Sequence, residues 1–177
     1  MHFGPIVKWD FGGDEPLDGI SVYDGGDYWH FVTYGLTELY EKESEDMEYS
    51  GFGMEFTFKL KKDNYEEVEI KCICSILQSI ARISFENGEL FEANQYIYTG
   101  QQTGIDAKQK SNITGFITVA DDKFQTIHTP FGKVEFVEFI GVTRDEIEAV
   151  NDKKITVEEL YRKLPSDVTD YNRKSVV

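Results

Sequence analysis

At 177 residues and 20.4 kDa, with 40% hydrophobic and 14% aromatic residues, the chain has the material for one packed core and reads as a single domain over residues 1–177. Eighteen Lys and Arg stand against 33 Asp and Glu, a net charge of −15 that opposes capture of a phosphate backbone or an anionic bilayer, so neither nucleic acid nor membrane is an expected partner. No apolar run is long enough to span a bilayer, and the first ten residues lack a basic segment followed by an apolar one, which makes the cytoplasm the expected location.

The charge is uneven. Residues 1–50 carry 12 acids against Lys8 and Lys42, a net of −10. In chain order, Phe11 to Pro16 reads as a turn, and the short apolar pattern from Leu17 to Tyr23 fits helix or strand equally. Gly25-Gly26-Asp27 breaks the chain before Tyr28 to Tyr34, whose aromatic and β-branched residues predict a strand. Glu41 to Glu48 has five acids in eight residues and no apolar period, the pattern of an exposed loop. From Phe52 to Leu60 apolar residues alternate with Gly53, Glu55, Thr57 and Lys59, which predicts a strand with one face on a core and the other in water.

Ile73, Ile76, Leu77, Ile80 and Ser84 recur at helical spacing, with Val68 and Ile83 extending the stripe, and predict a helix from about Tyr65 to Phe85, stopped by Asn87-Gly88. Leu90-Phe91, Gln95 to Thr99 and Ile113 to Val119 read as strands. Thr129-Pro130-Phe131-Gly132 has the proline and glycine of a turn, feeding a strand from Val134 to Val142. Thr143 with Glu146 and Thr156 with Glu159 are capping boxes that start two short helices, the second ending before Pro165. Blocks of strands and helices without regular alternation predict an α+β fold with a mixed, largely antiparallel central sheet covered by helices.

Catalytic patterns are missing. Gly51-Phe52-Gly53 lacks the rest of a phosphate loop, and no serine elbow, zinc helix or calcium loop appears. Cys72 and Cys74 diverge on the predicted helix and read as core residues, so neither a disulfide nor a metal is expected. His30, set among aromatics with no assignable nucleophile, reads as a buried histidine bonded to backbone, and Asp121-Asp122 reads as a turn. No cofactor or small-molecule substrate is expected, and the chain reads as a non-enzyme.

Asp14 to Asp18, Tyr28 to Tyr40, Ser50 to Phe58, Thr129 to Gly132 and Glu159-Leu160 together resemble the Suppressor of fused family. The resemblance runs in family order over nearly the whole chain, and its Trp29-His30 and Ser50-Gly51-Phe52-Gly53 blocks are specific. It implies an α+β domain like the N-terminal lobe of metazoan members, which hold Hedgehog-pathway zinc-finger transcription factors by clamping an extended peptide between two lobes. This chain matches a single lobe, as do bacterial members associated with immunity to polymorphic or contact-delivered toxins. A non-catalytic protein-binding domain is therefore expected, with toxin immunity as the favoured instance, because an acidic inhibitor associates rapidly with a basic toxin domain. The alternative is a regulatory module that binds an extended peptide of a cellular partner. Glu43, Glu45, Asp46 and Glu48 are the expected protein-binding residues. Trp29, His30, Gly51, Phe52, Gly53, Pro130, Phe131 and Gly132 are expected to be structural.

Overall fold

A computed structural model describes residues 2–3, 16–38, 40–62 and 67–177. Its order is β1 (His2–Phe3), β2 (Gly19–Asp24), β3 (Tyr28–Tyr34), β4 (Tyr49–Lys61), α1 (Glu67–Asn87), β5 (Tyr96–Ile97), β6 (Ile113–Ala120), β7 (Ile127–Thr129), β8 (Gly132–Thr143), α2 (Arg144–Asn151) and α3 (Val157–Lys163). The strands form one sheet in the order β1-β2-β3-β4-β8-β6-β5, with β7 beside β8. Only the central β4–β8 pair is parallel, so the α+β class and the largely antiparallel sheet agree with expectation. Leu17 to Tyr23, open between helix and strand in sequence, resolves as the start of β2. The turn expected from Phe11 lies outside the described residues up to Pro16.

Two apolar layers cover the sheet. Met54, Phe56, Phe58 and Leu60 of β4 pack with Ile73, Cys74, Leu77 and Ala81 of α1 in the larger core. On the opposite face Ile117, Ile140 and Val142 pack under Ile147, Val150 and Leu160 of the two short helices. Val68 was expected in the α1 stripe but is exposed, because the buried row begins at Glu69 and Ile70. Leu90 and Phe91 form no strand, and between Gln95 and Thr99 only Tyr96–Ile97 pairs.

The alternation in β4 is present, but its second face is not in water. Glu55, Thr57 and Lys59 are all buried. The residues after α3 return across that face, and Thr169 inserts where β4 and β8 diverge. Its N–H donates to the Lys59 carbonyl, its carbonyl accepts from the Lys61 N–H, and its hydroxyl accepts from the Gly141 N–H. A strand's local pattern cannot show that a segment over 100 residues later will cover its polar side.

Two glycines of the family blocks are required by the backbone. Gly51 has φ 56° and the added Cβ of any other residue would lie 2.7 Å from the Leu36 carbonyl oxygen. Gly132, at φ 127°, closes the Pro130-Phe131 turn between β7 and β8, and a Cβ there would meet the Tyr49 backbone at 2.5 Å. The Thr129 to Gly132 turn thus packs directly on the start of β4.

Candidate functional site

The acidic loop between β3 and β4 is organised from within by one carboxylate. Glu38 accepts the Glu43 N–H at 2.7 Å, the Ser44 N–H at 2.5 Å and the Gly51 N–H at 3.0 Å, and pairs with Lys42 Nζ at 3.0 Å. Burial pushes its carboxyl up, but the Ser44 amide, the Lys42 ammonium and the other two amides outweigh it and hold the pKa at about 2. Lys42 also donates to the Ser44 hydroxyl and the Tyr49 carbonyl, so the one base of the loop turns inward. Asp46 accepts the N–H groups of Glu48 and Tyr49 and closes the loop's second turn.

The other acids of residues 40–48 face out. Glu41, Glu43, Glu45, Asp46 and Glu48 are exposed, together with Tyr40 at 87% and Met47 at 79% of their surface. A groove of about 670 Å³ runs beside them, lined in part by Leu36, Thr37, Tyr40, Glu41, Glu43 and Phe52. The four expected binding residues therefore share one exposed loop, and Asp46 in addition shapes it.

Beneath the loop, Glu55 is buried with no cationic partner among the described residues. Its carboxylate accepts from the hydroxyls of Thr33 and Thr37, each at 2.7 Å, and from the N–H groups of Gly35 and Thr37, each at 3.0 Å. Burial dominates and pushes its pKa up despite these four donors. Glu55 thus moors residues 35–37 to the sheet, and Glu38 continues the chain of contacts into the loop.

Along the same face, Lys59 is 1% exposed and donates to Asp122 at 2.5 Å, Asp167 at 2.5 Å and Glu138 at 3.0 Å. Burial lowers its pKa, and the three carboxylates more than reverse this. Asp121 accepts from the Thr57 hydroxyl and from the N–H groups of Lys123 and Phe124, so the Asp121-Asp122 turn is formed as expected. Asp121, Asp122 and Glu138 bring oxygens within 4.8 Å of one another, the spacing of a cation site, and the Lys59 ammonium takes that position against Asp122 and Glu138.

Glu138 Oε1 makes no hydrogen bond, and burial outweighs the pairing with Lys59 to push the pKa from 4.5 up to about 8. The folded state therefore keeps a proton that the unfolded state has released between these values, so this group's contribution to stability falls as pH rises from about 4.5 to 8 and is flat above. Glu138→Gln is expected to match the parent near pH 5 and exceed its stability at pH 9, measured by urea unfolding. Equal pH slopes in the two proteins would contradict the assignment.

Of the family-block residues, His30 departs from the sequence reading. Trp29 is half-buried against the core, with Lys62 Nζ 4.1 Å above its ring, and Phe52, at the other end of β4, is partly buried against the same core. His30 is buried but its partner is not backbone. Its Nε2 lies 3.3 Å from Asp121 Oδ2, and its ring packs against Phe124 at 5.3 Å between centroids. Burial raises the Asp121 pKa, but His30, Thr57 and the two amides hold it well below the ordinary range. Sequence reasoning missed Glu38, Glu55, Lys59 and Glu138: a charged residue in a strand pattern carries no mark of burial, and Glu38 is one acid among many in an acidic stretch, its role as acceptor set by the folding of the loop around it.

Among the described residues no helix is long and apolar enough to cross a membrane. The Suppressor of fused protein family model matches residues 13–174. The chain is 30% identical over 156 residues to the Suppressor of fused homologs of Homo sapiens and of Mus musculus, covering 80% of this chain and 31% of each relative. It therefore spans about a third of those proteins. Its fold is similar to a chain of the Sufu–Fu complex crystal structure, with TM-score 0.77 and 25% identity over 99% of this chain and 84% of that one. It is also similar to Drosophila Suppressor of Fused, with TM-score 0.76 and 26% identity over 98% of this chain and 47% of that one. On these matches and this fold, the chain belongs to the Suppressor of fused family.

Proposed function

We propose that this domain binds a basic protein through the 40–48 loop and does no chemistry of its own, with neutralisation of a toxin domain as the favoured instance. The observation that carries the reading is the inward-facing Glu38–Lys42 pair. It fixes the loop from behind, removes its only base from the surface, and leaves five acids around Tyr40 and Met47. A preorganised acidic surface with an exposed aromatic and a thioether suits a cationic partner, since long-range attraction speeds encounter while the apolar side chains supply buried area. Among the described residues, the hydroxyl that shares Asp121 with His30 is that of Thr57, a buried group that donates to the carboxylate, and the His30 ring is packed against Phe124, which also favours binding over catalysis.

The test is to replace Glu43, Glu45 and Glu48 with Gln and Asp46 with Asn. Asn at 46 keeps a side-chain oxygen for the turn. Association with the basic partner is expected to slow by about tenfold or more at low salt, with the dissociation rate changed far less. Unchanged association would remove the loop from the binding surface.

A second reading is favoured by a separate observation. The sheet ends at β5, where only Tyr96 and Ile97 pair with β6 and where Tyr96 and Tyr98 are exposed. An extended peptide adding to that edge would gain backbone hydrogen bonds and aromatic contacts. The structural neighbour in the Sufu–Fu complex was solved with a protein partner, which is consistent with either surface.

A further inference from the structure

The cleft at the start of α2 has the opposite electrostatic character to the acidic loop. In a chain of net charge −15, Lys110, Arg144 and Lys174 line a polar space of about 430 Å³ between the 102–112 loop, β6, α2 and the C-terminal residues. Asp145 is the one carboxylate in the lining. None of the three cations pairs with a carboxylate among the described residues. The acids nearest in the fold are committed elsewhere. Glu146 pairs with Arg173 and accepts the Thr143 and Val176 N–H groups, Asp106 accepts the Lys110 and Ser111 N–H groups, and Glu69 accepts the Ala107 N–H.

Donors without acceptors converge on the same space. Thr114 and Thr143 are 4% and 3% exposed and both line the cleft; among the described residues the Thr114 hydroxyl has no hydrogen-bond partner and the Thr143 hydroxyl meets only the Glu146 N–H of its capping box, so neither hydroxyl proton has an acceptor. Arg144 Nε is also buried and unpartnered, although its terminal nitrogen donates to the Gln102 carbonyl. Thr143 caps the eight-residue α2, in whose first turn the Arg144 N–H donates to the Asn112 carbonyl and the Glu146 N–H to the Thr143 hydroxyl, which leaves the Asp145 N–H for a ligand. Burying two hydroxyls and a guanidinium nitrogen without acceptors is costly unless something fills the cleft and accepts from them.

We propose that this cleft is a binding site for the phosphate group of a small phosphate monoester. A phosphate dianion offers three terminal oxygens, each with more than one acceptor position, which matches the Thr114 and Thr143 hydroxyls, Arg144 Nε and the Asp145 N–H better than the two oxygens of a carboxylate do. Lys110 and Lys174 neutralise its charge, and the remaining volume holds the esterified body. The site is separate from the acidic loop and independent of its partner.

The probe is inorganic phosphate, titrated into isotope-labelled protein at constant ionic strength with chloride as the control, while the backbone amide resonances are followed by NMR. Saturable shifts confined to residues 110–115, 143–147 and 174 are expected. Lys110→Gln with Lys174→Gln should weaken binding by about tenfold or more, and Thr114→Val by several-fold. Asp145→Asn removes the opposing charge and should tighten binding several-fold, a gain that a damaged fold does not produce. Neutralising the 43–48 acids should leave the titration unchanged. Shifts that chloride reproduces, that fail to saturate, or that persist equally in the double lysine variant and Asp145→Asn would overturn the site.

Discussion

Lys59→Met is expected to destabilise the domain by about 3–5 kcal/mol, the usual penalty for removing one partner of a buried ionic cluster. The three carboxylates around the ammonium do not suffer equally. Asp122 is half exposed and Asp167 about one-fifth exposed, so both can turn to water, whereas Glu138 is 1% exposed and cannot. Glu138 can instead retain a proton, since burial already holds its pKa at about 8. The cost at neutral pH therefore lies toward the lower end of the range and grows as pH rises. The cluster also ties the returning C-terminal residues to the sheet through Asp167 and, two residues on, through the Thr169 backbone bonds. Urea unfolding at pH 7 and pH 9 checks this, and a loss below about 1 kcal/mol at both would show that the cluster is an incidental surface network.

Glu55→Ala is the second large effect. It removes one acceptor group that serves two hydroxyls and two backbone amides, and each buried donor left without a partner costs about 1–3 kcal/mol. Relief of the carboxylate's own burial offsets part of this, because that burial pushes its pKa up. A net loss of at least about 3 kcal/mol is expected, since four donors outnumber the single charge removed. Glu55→Gln should be milder but still costly, because its amide nitrogen faces donors and accepts nothing. Beyond stability, freeing residues 35–37 should loosen the 40–48 loop, read as faster amide exchange at Glu43, Ser44 and Gly51. Exchange unchanged at these three amides would mean that Glu38 organises the loop without help from Glu55.

The periodic elements were legible from local pattern. β3, β4, β6, α1 and both capped helices follow from strand alternation, helical spacing and the Thr-x-x-Glu signals, and the Pro130-Phe131 turn from its residue types. The acidic loop was legible too, as charge without period. The polar interior was not. Glu55, Lys59 and Glu138 sit in strands whose local pattern carries no sign of a buried charge: Lys59 and Glu138 meet only because β4 and β8 lie side by side at the centre of the sheet, and Glu55 meets its donors at the end of β3. His30 illustrates the same limit: its burial follows from its aromatic neighbours, while its partner, Asp121, lies 91 residues away in sequence. Leu90-Phe91 failed for a different reason. Two apolar residues are too few to distinguish a strand from a segment that dips once into the core, as Phe91 does when its N–H meets the Met54 sulfur at 3.2 Å.

The polar network gives the loop its functional meaning. Glu55 fixes residues 35–37, Glu38 fixes residues 42–51, and the acids at 43, 45, 46 and 48 are presented without a compensating base. Under the proposed function, specificity for a cationic partner would follow from geometry that exists before contact, which favours rapid and selective association.

The most direct test is affinity capture from the source cells with the parent protein and the four-site loop variant side by side, at low and at moderate salt, followed by identification of what remains bound in stoichiometric amount. The proposed function predicts a basic protein with a discrete folded domain, held by the parent, recovered less as salt rises, and lost or strongly reduced with the variant. Equal recovery of the same partner by both proteins, or recovery of an acidic or neutral partner that ignores salt, would contradict it and direct attention to the β5 edge.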